Sequence, residues 1–81
     1  MAEEDEDTFM QGVATGQLGI LCNLRGDCAK AKSLCKKALR ISVKIGVKEG
    51  EILHNRVLSG VLLNLGEFKE ARDCRLRALT L

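Results

Sequence analysis

The sequence predicts an all-α fold of two stacked antiparallel helix-turn-helix hairpins, on three observations. The chain contains no proline, the residue that most strongly breaks a helix. Its apolar residues recur at three- and four-residue steps, without the period-2 alternation of a half-buried strand. The pattern also repeats: forty residues separate Leu18 from Leu58, Gly26 from Gly66, Ala31 from Ala71, and Ala38-Leu39 from Ala78-Leu79. Asp27 matches Glu67 and Ile41 matches Leu81 at the same interval. These shared positions hold small residues, apolar residues and turn glycines, and a fixed period of this size marks stacked supersecondary units.

Each unit reads as two helices. The first helix is expected from near Thr8, where Thr8-Phe9-Met10-Gln11 has the form of a capping box. Gly26 supplies the left-handed residue that ends a helix, and Asp27 is suited to cap the next one. The second helix is expected from Cys28 to about Ile45, with an apolar stripe of Cys28, Ala31, Leu34, Cys35, Ala38, Ile41 and Ile45. Gly46 to Gly50 reads as a connection, Glu51 to Leu65 as a third helix stopped by Gly66, and Glu67 to the end as a fourth. Short glycine turns favour antiparallel neighbours. The division expected is an acidic tail over residues 1–8, a first repeat over 9–48 and a second over 49–81.

The helices differ in kind. The second and fourth carry one apolar stripe and one charged face, whereas the first and third are apolar on nearly all sides. Leu18, Leu21 and Cys22 occupy one face of the first, and Val13, Ile20 and Leu24 another. In the third, Leu58, Val61, Leu62 and Leu65 oppose Leu53, Val57 and Leu63. A helix apolar all round must be covered on both sides or must offer an adhesive surface.

The residues Leu18-Gly19, Gly26-Asp27, Ala31, Ala38-Leu39 and Ile41 resemble one tetratricopeptide repeat. Leu65-Gly66-Glu67-Phe68-Lys69-Glu70-Ala71 followed by Ala78-Leu79 resembles a second, so the likeness spans about Gly12 to Leu81. The forty-residue period exceeds the roughly thirty-four of the basic repeat. It is similar to the longer variety of spindle-orientation adaptors in G-protein signalling and of kinesin light chains. The resemblance implies an α-solenoid fragment whose first and third helices line a concave groove for extended or helical peptide segments. On these helices Val13, Ile20, Leu24, Leu53, Arg56, Val57, Leu63 and Asn64 are the candidate groove positions, with Arg56 and Asn64 as orienting polar groups and Asn23 as a weaker one; the alternative is that the six apolar ones are core, covered by a second copy or a further repeat. Leu18, Gly19, Gly26, Ala31, Ala38, Leu58, Gly66, Phe68, Ala71 and Ala78 are its packing positions. Small residues such as Gly19, Ala31 and Ala38 let helix backbones approach, and a bulky replacement there costs about 1–3 kcal/mol. The chain departs from the pattern at Ser59 opposite Gly19, Cys28 opposite Phe68 and Arg75 opposite Cys35. It also has Gly16, Ile20 and Gly60 where some relatives clamp a carboxylate with Lys and Asn, so binding of chaperone tails is not carried over. Three glycines, Gly12, Gly16 and Gly19, weaken the first helix by up to ~1 kcal/mol each relative to alanine.

Charge and composition set the remaining bounds. The net charge of +2 conceals five acids in the run Glu3 to Asp7; from Thr8 onward thirteen basic groups face six acidic ones, a balance of +7. The chain's 81 residues bury only about 60% of their unfolded surface or a little more, so the core is marginal. No apolar run approaches the roughly 18 residues of a membrane span, and the acidic N-terminus is unlike a secretory signal. A cytoplasmic location with reduced cysteines is therefore expected. Stacked repeats usually number three or more, so an open end at Arg77 to Leu81 implies dimerisation or membership of a longer array.

Catalysis is not expected. His54 is the one histidine, read as partly exposed on the third helix and lacking an orienting carboxylate. No phosphate-binding glycine loop or nucleophile–base set accompanies it. Cys22, Cys28, Cys35 and Cys74 contain no Cys-x-x-Cys pair, and Cys28 and Cys35 lie about 10 Å apart along one helix, so no metal or cofactor is expected. Cys74 is the thiol most exposed to activation, because Arg75 and Arg77 are near it in sequence. Lys30, Lys37, Arg40, Lys44 and Lys48, echoed by Arg77, form a basic face that suits nucleic-acid phosphates or anionic lipid; it lacks the aromatics of a single-strand binder. The function expected is a non-enzymatic adaptor that binds a protein or peptide through the concave face. The alternatives are a self-associating or array-forming structural piece, such as a homo-oligomer, and binding of nucleic acid or lipid by the basic face.

Overall fold

The computed structural model describes residues 3–81, with side chains described from Glu6 onward; Met1 and Ala2 of the expected tail, and the side chains of Glu3, Glu4 and Asp5, lie outside them. Four helices follow in order: α1 (Glu3–Leu24), α2 (Cys28–Ile45), α3 (Lys48–Asn64) and α4 (Phe68–Thr80). Each helix packs on the next, and α1 also touches α3. The result is a slab 40 × 28 × 13 Å, two hairpins laid side by side, with no strand among the described residues.

The turns are built alike. At Gly26 (φ +86°) the amide donates to the Asn23 carbonyl at 3.0 Å and the next amide, Asp27, to the Cys22 carbonyl at 2.8 Å. This is the Schellman closure, whose left-handed residue only glycine adopts without strain. Gly46 and Gly66 repeat it with the same pair of bonds. Asp27 then accepts from the Lys30 amide at 3.3 Å and caps α2, as its residue type suggests.

Two helix starts differ from expectation. Helix α1 begins at Glu3, so Thr8 lies inside the helix and is not its cap. Acidic residues at a helix N-terminus are stabilised by the positive end of its dipole, which favours extension through the acidic run. Helix α3 begins at Lys48 with Glu49 and Glu51 in its first turn, which shrinks the expected Gly46–Gly50 connection to Gly46 and Val47. Gly50 falls in the first turn of α3 and packs against Ser42: a methyl group there would stand 2.5 Å from the Ser42 Oγ.

The core lies between the hairpins. Ala31, Cys35, Leu58, Val61, Leu62, Ala71 and Cys74 form one buried cluster, with Cys22, Cys28, Leu39, Val57 and Leu65 packed against it. Gly19 lets α1 settle on α2, since a methyl group there would come within 2.9 Å of the Cys35 Sγ. Across the hairpins, Lys32 Nζ meets Glu67 Oε1 at 2.6 Å and Lys36 Nζ meets Glu70 Oε2 at 3.0 Å, both partly exposed.

Several packing assignments need correction. Leu58 is buried, but its repeat mate Leu18 is 53% exposed, because α2 covers α3 on that side and nothing described covers α1. Phe68, the first residue of α4, is 66% exposed. Ala78, on the same face as Ala71 but in the last turn of α4, is only half-buried, whereas Ala31, Ala38 and Ala71 are buried.

Candidate functional site

The candidate site lies where α1 crosses above the junction of α2 and α3. Gly12 and Gly16, one turn apart, bring the α1 backbone down. A methyl group on Gly12 would meet Ile41 Cγ2 at 2.9 Å, and one on Gly16 would meet His54 Cε1 at 2.5 Å. Beside this crossing opens a cavity of about 400 Å³, within the range of ligand pockets. Helix α1 contributes Phe9, Gly12 and Val13, and α2 contributes Ile41, Ser42 and Ile45. Val47 and the first turns of α3, with Glu49, Gly50, Leu53 and His54, complete it.

Its walls are largely apolar, yet two of its polar residues are buried. Ser42 is 5% and His54 7% exposed, and neither side chain hydrogen-bonds a protein group among the described residues. Burial pushes the His54 imidazole below its ordinary value of 6.5, because a charged ring is poorly solvated there; at neutral pH the ring is uncharged. The expectation of a partly exposed histidine is corrected: Gly16 leaves room for the ring to lie against α1.

The expected groove residues divide along the cleft. Val13 and Leu53, forty positions apart and therefore repeat mates, both line the cavity and remain 37% and 48% exposed. Ile20, Leu24 and Leu63 continue the exposed apolar surface towards the C-terminal ends of α1 and α3, Leu24 most openly at 77%. Val57 is instead packed against the core, a correction to its assignment as a free groove residue. Arg56 is exposed and in no ion pair among the described residues. Asn64 Nδ2 donates to Asn23 Oδ1 at 3.1 Å, so these two amides tie the repeats together at the far end.

Sequence reasoning missed Ser42 and His54. A signal existed for each. Ser42 follows Ala38 by four residues on the buried stripe of α2, where a hydroxyl needs a reason. Gly12 and Gly16 mark α1 as a helix whose neighbours come close.

Two of the thiols are buried and raised, Cys35 and Cys74. Cys74 is 1% exposed, and its thiol is pushed up chiefly by burial, against the lowering effect of Arg77. This corrects its choice as the reactive cysteine: the neighbouring arginines in sequence do not make it accessible. Burial likewise raises the Cys35 thiol. No group of three or more His, Cys, Asp or Glu among the described residues could hold a metal ion. Lys30, Lys37, Arg40, Lys44, Lys48 and Arg77 are all exposed and in no ion pair among the described residues. Among the described residues no helix is long and apolar enough to cross a membrane.

No protein-family model, no curated protein and no solved structure matches this chain.

Proposed function

We propose that this chain is a non-enzymatic interaction module of tetratricopeptide type, an adaptor that binds a peptide segment along the cleft between α1 and α3. The observation that carries this reading is the pair Val13 and Leu53. Equivalent positions of two repeats present exposed apolar side chains at the mouth of one cavity, and Ile20, Leu24 and Leu63 extend that surface along both helices. An apolar strip on a small domain is costly to leave in water and marks an interaction site. The cytoplasmic location inferred from the sequence belongs to the same reading.

Peptides selected against the chain from a random displayed library, with binding measured by fluorescence polarisation, provide the test. Leu24→Asp combined with Leu63→Asp should weaken binding at least tenfold while far-UV circular dichroism stays helical. Undiminished binding, or loss of helicity, would remove Leu24 and Leu63 from the groove. Binding to nucleic acid or anionic lipid by the basic face predicts instead a steep loss of affinity with added salt.

A second reading, self-association through the ends of the stack, draws on a different observation: Leu18 and Leu21 on α1, and Phe68, Leu76 and Leu79 on α4, are each more than half exposed.

A further inference from the structure

The cavity's chemistry narrows what the cleft recognises. Six of its lining residues, Phe9, Val13, Ile41, Ile45, Val47 and Leu53, carry apolar side chains, which favour an apolar body. Ser42 and His54, each more than nine-tenths buried and without a protein hydrogen-bond partner among the described residues, line the same space. The buried side-chain atom left without a partner among the described residues is Asn55 Oδ1, so the polar atoms of Ser42 and His54 keep access to solvent and are available to whatever fills the cavity. A serine hydroxyl donates and accepts, and a neutral imidazole has one donor and one acceptor nitrogen. A group whose tip can both donate and accept satisfies the pair; an indole N–H, which only donates, does not. A charged tip is disfavoured by the apolar walls, and a negative one further by Glu49 at the rim.

Among side chains, only tyrosine joins a large apolar body to an uncharged hydroxyl. We propose that the cavity is a tyrosine pocket, which receives the unphosphorylated phenol of the bound segment with its hydroxyl hydrogen-bonded to Ser42 and His54. This rests on the adaptor reading for the source of the phenol. The pocket itself can be examined without any peptide. A phosphorylated tyrosine is excluded by the same chemistry, so phosphorylation of the partner would release it.

The experiment titrates the full chain with p-cresol, toluene and p-tolyl phosphate, following the His54 ring and the Gly12 and Gly50 amides by NMR. p-Cresol should bind at these residues roughly three- to tenfold more tightly than toluene, as a net hydrogen bond gives, and p-tolyl phosphate more weakly than either. Ser42→Ala and His54→Phe should each reduce the advantage of p-cresol over toluene. Equal affinity for toluene or for p-tolyl phosphate, shifts confined to other residues, or no binding would overturn the proposal. The ranking of the three probes on the unaltered chain decides the matter even if a variant fails to fold. Leu24→Asp with Leu63→Asp, remote from the cavity, separates the two readings: p-cresol binding that survives while peptide binding never depended on those residues sinks the groove and keeps the pocket.

Discussion

At Gly16 the chain gives up a side chain so that His54 can lie against the α1 backbone, and the consequence is a pH dependence of stability. Burial sets the imidazole below 6.5 in the folded state, while the unfolded chain keeps the ordinary value. Below pH 6.5 the unfolded state therefore binds more protons than the folded one, and stability falls with acidification until the folded-state value is passed. The Glu70 carboxyl, lowered from 4.5 by its bond to Lys36, contributes stability that is lost only at still lower pH, so the two windows separate. Thermal unfolding should show a nearly constant midpoint just above pH 6.5 and a decline below it. His54→Phe should flatten that decline. A midpoint that does not move over this range in the unaltered chain would show that the ring is protonated as easily folded as unfolded.

At the scale of the helices, glycine carries opposite meanings that one substitution can expose. Gly66 sits at φ +80° with open space around it, and Gly60 lies within α3 with nothing within 4 Å of an added methyl group. Gly66→Ala should therefore destabilise by about 1–2 kcal/mol through left-handed strain alone, and Gly60→Ala should stabilise by about 0.4–1 kcal/mol by lowering the entropy of the unfolded chain. Urea unfolding checks both, and equal signs would contradict the backbone assignment of one of them. The three turns were legible in the sequence, because Gly26, Gly46 and Gly66 recur every twenty residues between apolar runs, and the bounds of α2 follow from Asp27 and Gly46. The starts of α1 and α3 were not, because their extension depends on the helix dipole and on a contact between Gly50 and Ser42 that no periodicity encodes. The site shows the same division. Val13 and Leu53 follow from the all-round apolar character of their helices. Ser42 and His54 do not, because a buried polar side chain looks in sequence like an exposed one. Phe68 misled in the other direction, since the repeat resemblance made it a packing position and it is 66% exposed.

Over the whole molecule, the two repeats serve as each other's control. Leu58 and Val61 on α3 are 2% and 0% exposed beneath the first hairpin, whereas their mates Leu18 and Leu21 on α1 are 53% and 51% exposed. Leu39 on α2 packs against the core, but its mate Leu79 on α4 is 76% exposed. Each end of the stack thus presents the surface that its counterpart buries inside, and a second copy laid head to tail would meet it. Arg75 opposes that arrangement. It occupies the position of Cys35, which is fully buried between the hairpins, and a cation there would be enclosed without a partner, an expensive arrangement unless an acid accompanies it. Stacking of identical copies is therefore expected to be weak, and replacing the charge should strengthen it. Sedimentation of the unaltered chain should show a predominant monomer at micromolar concentration, with association increased by Arg75→Cys and abolished again when Leu79→Asp is added. A stable oligomer in the unaltered chain that survives Leu79→Asp would place self-association on another surface, and an Arg75→Cys variant that remains as monomeric as its parent, measured under reducing conditions, would show that the ends are not built to receive one another.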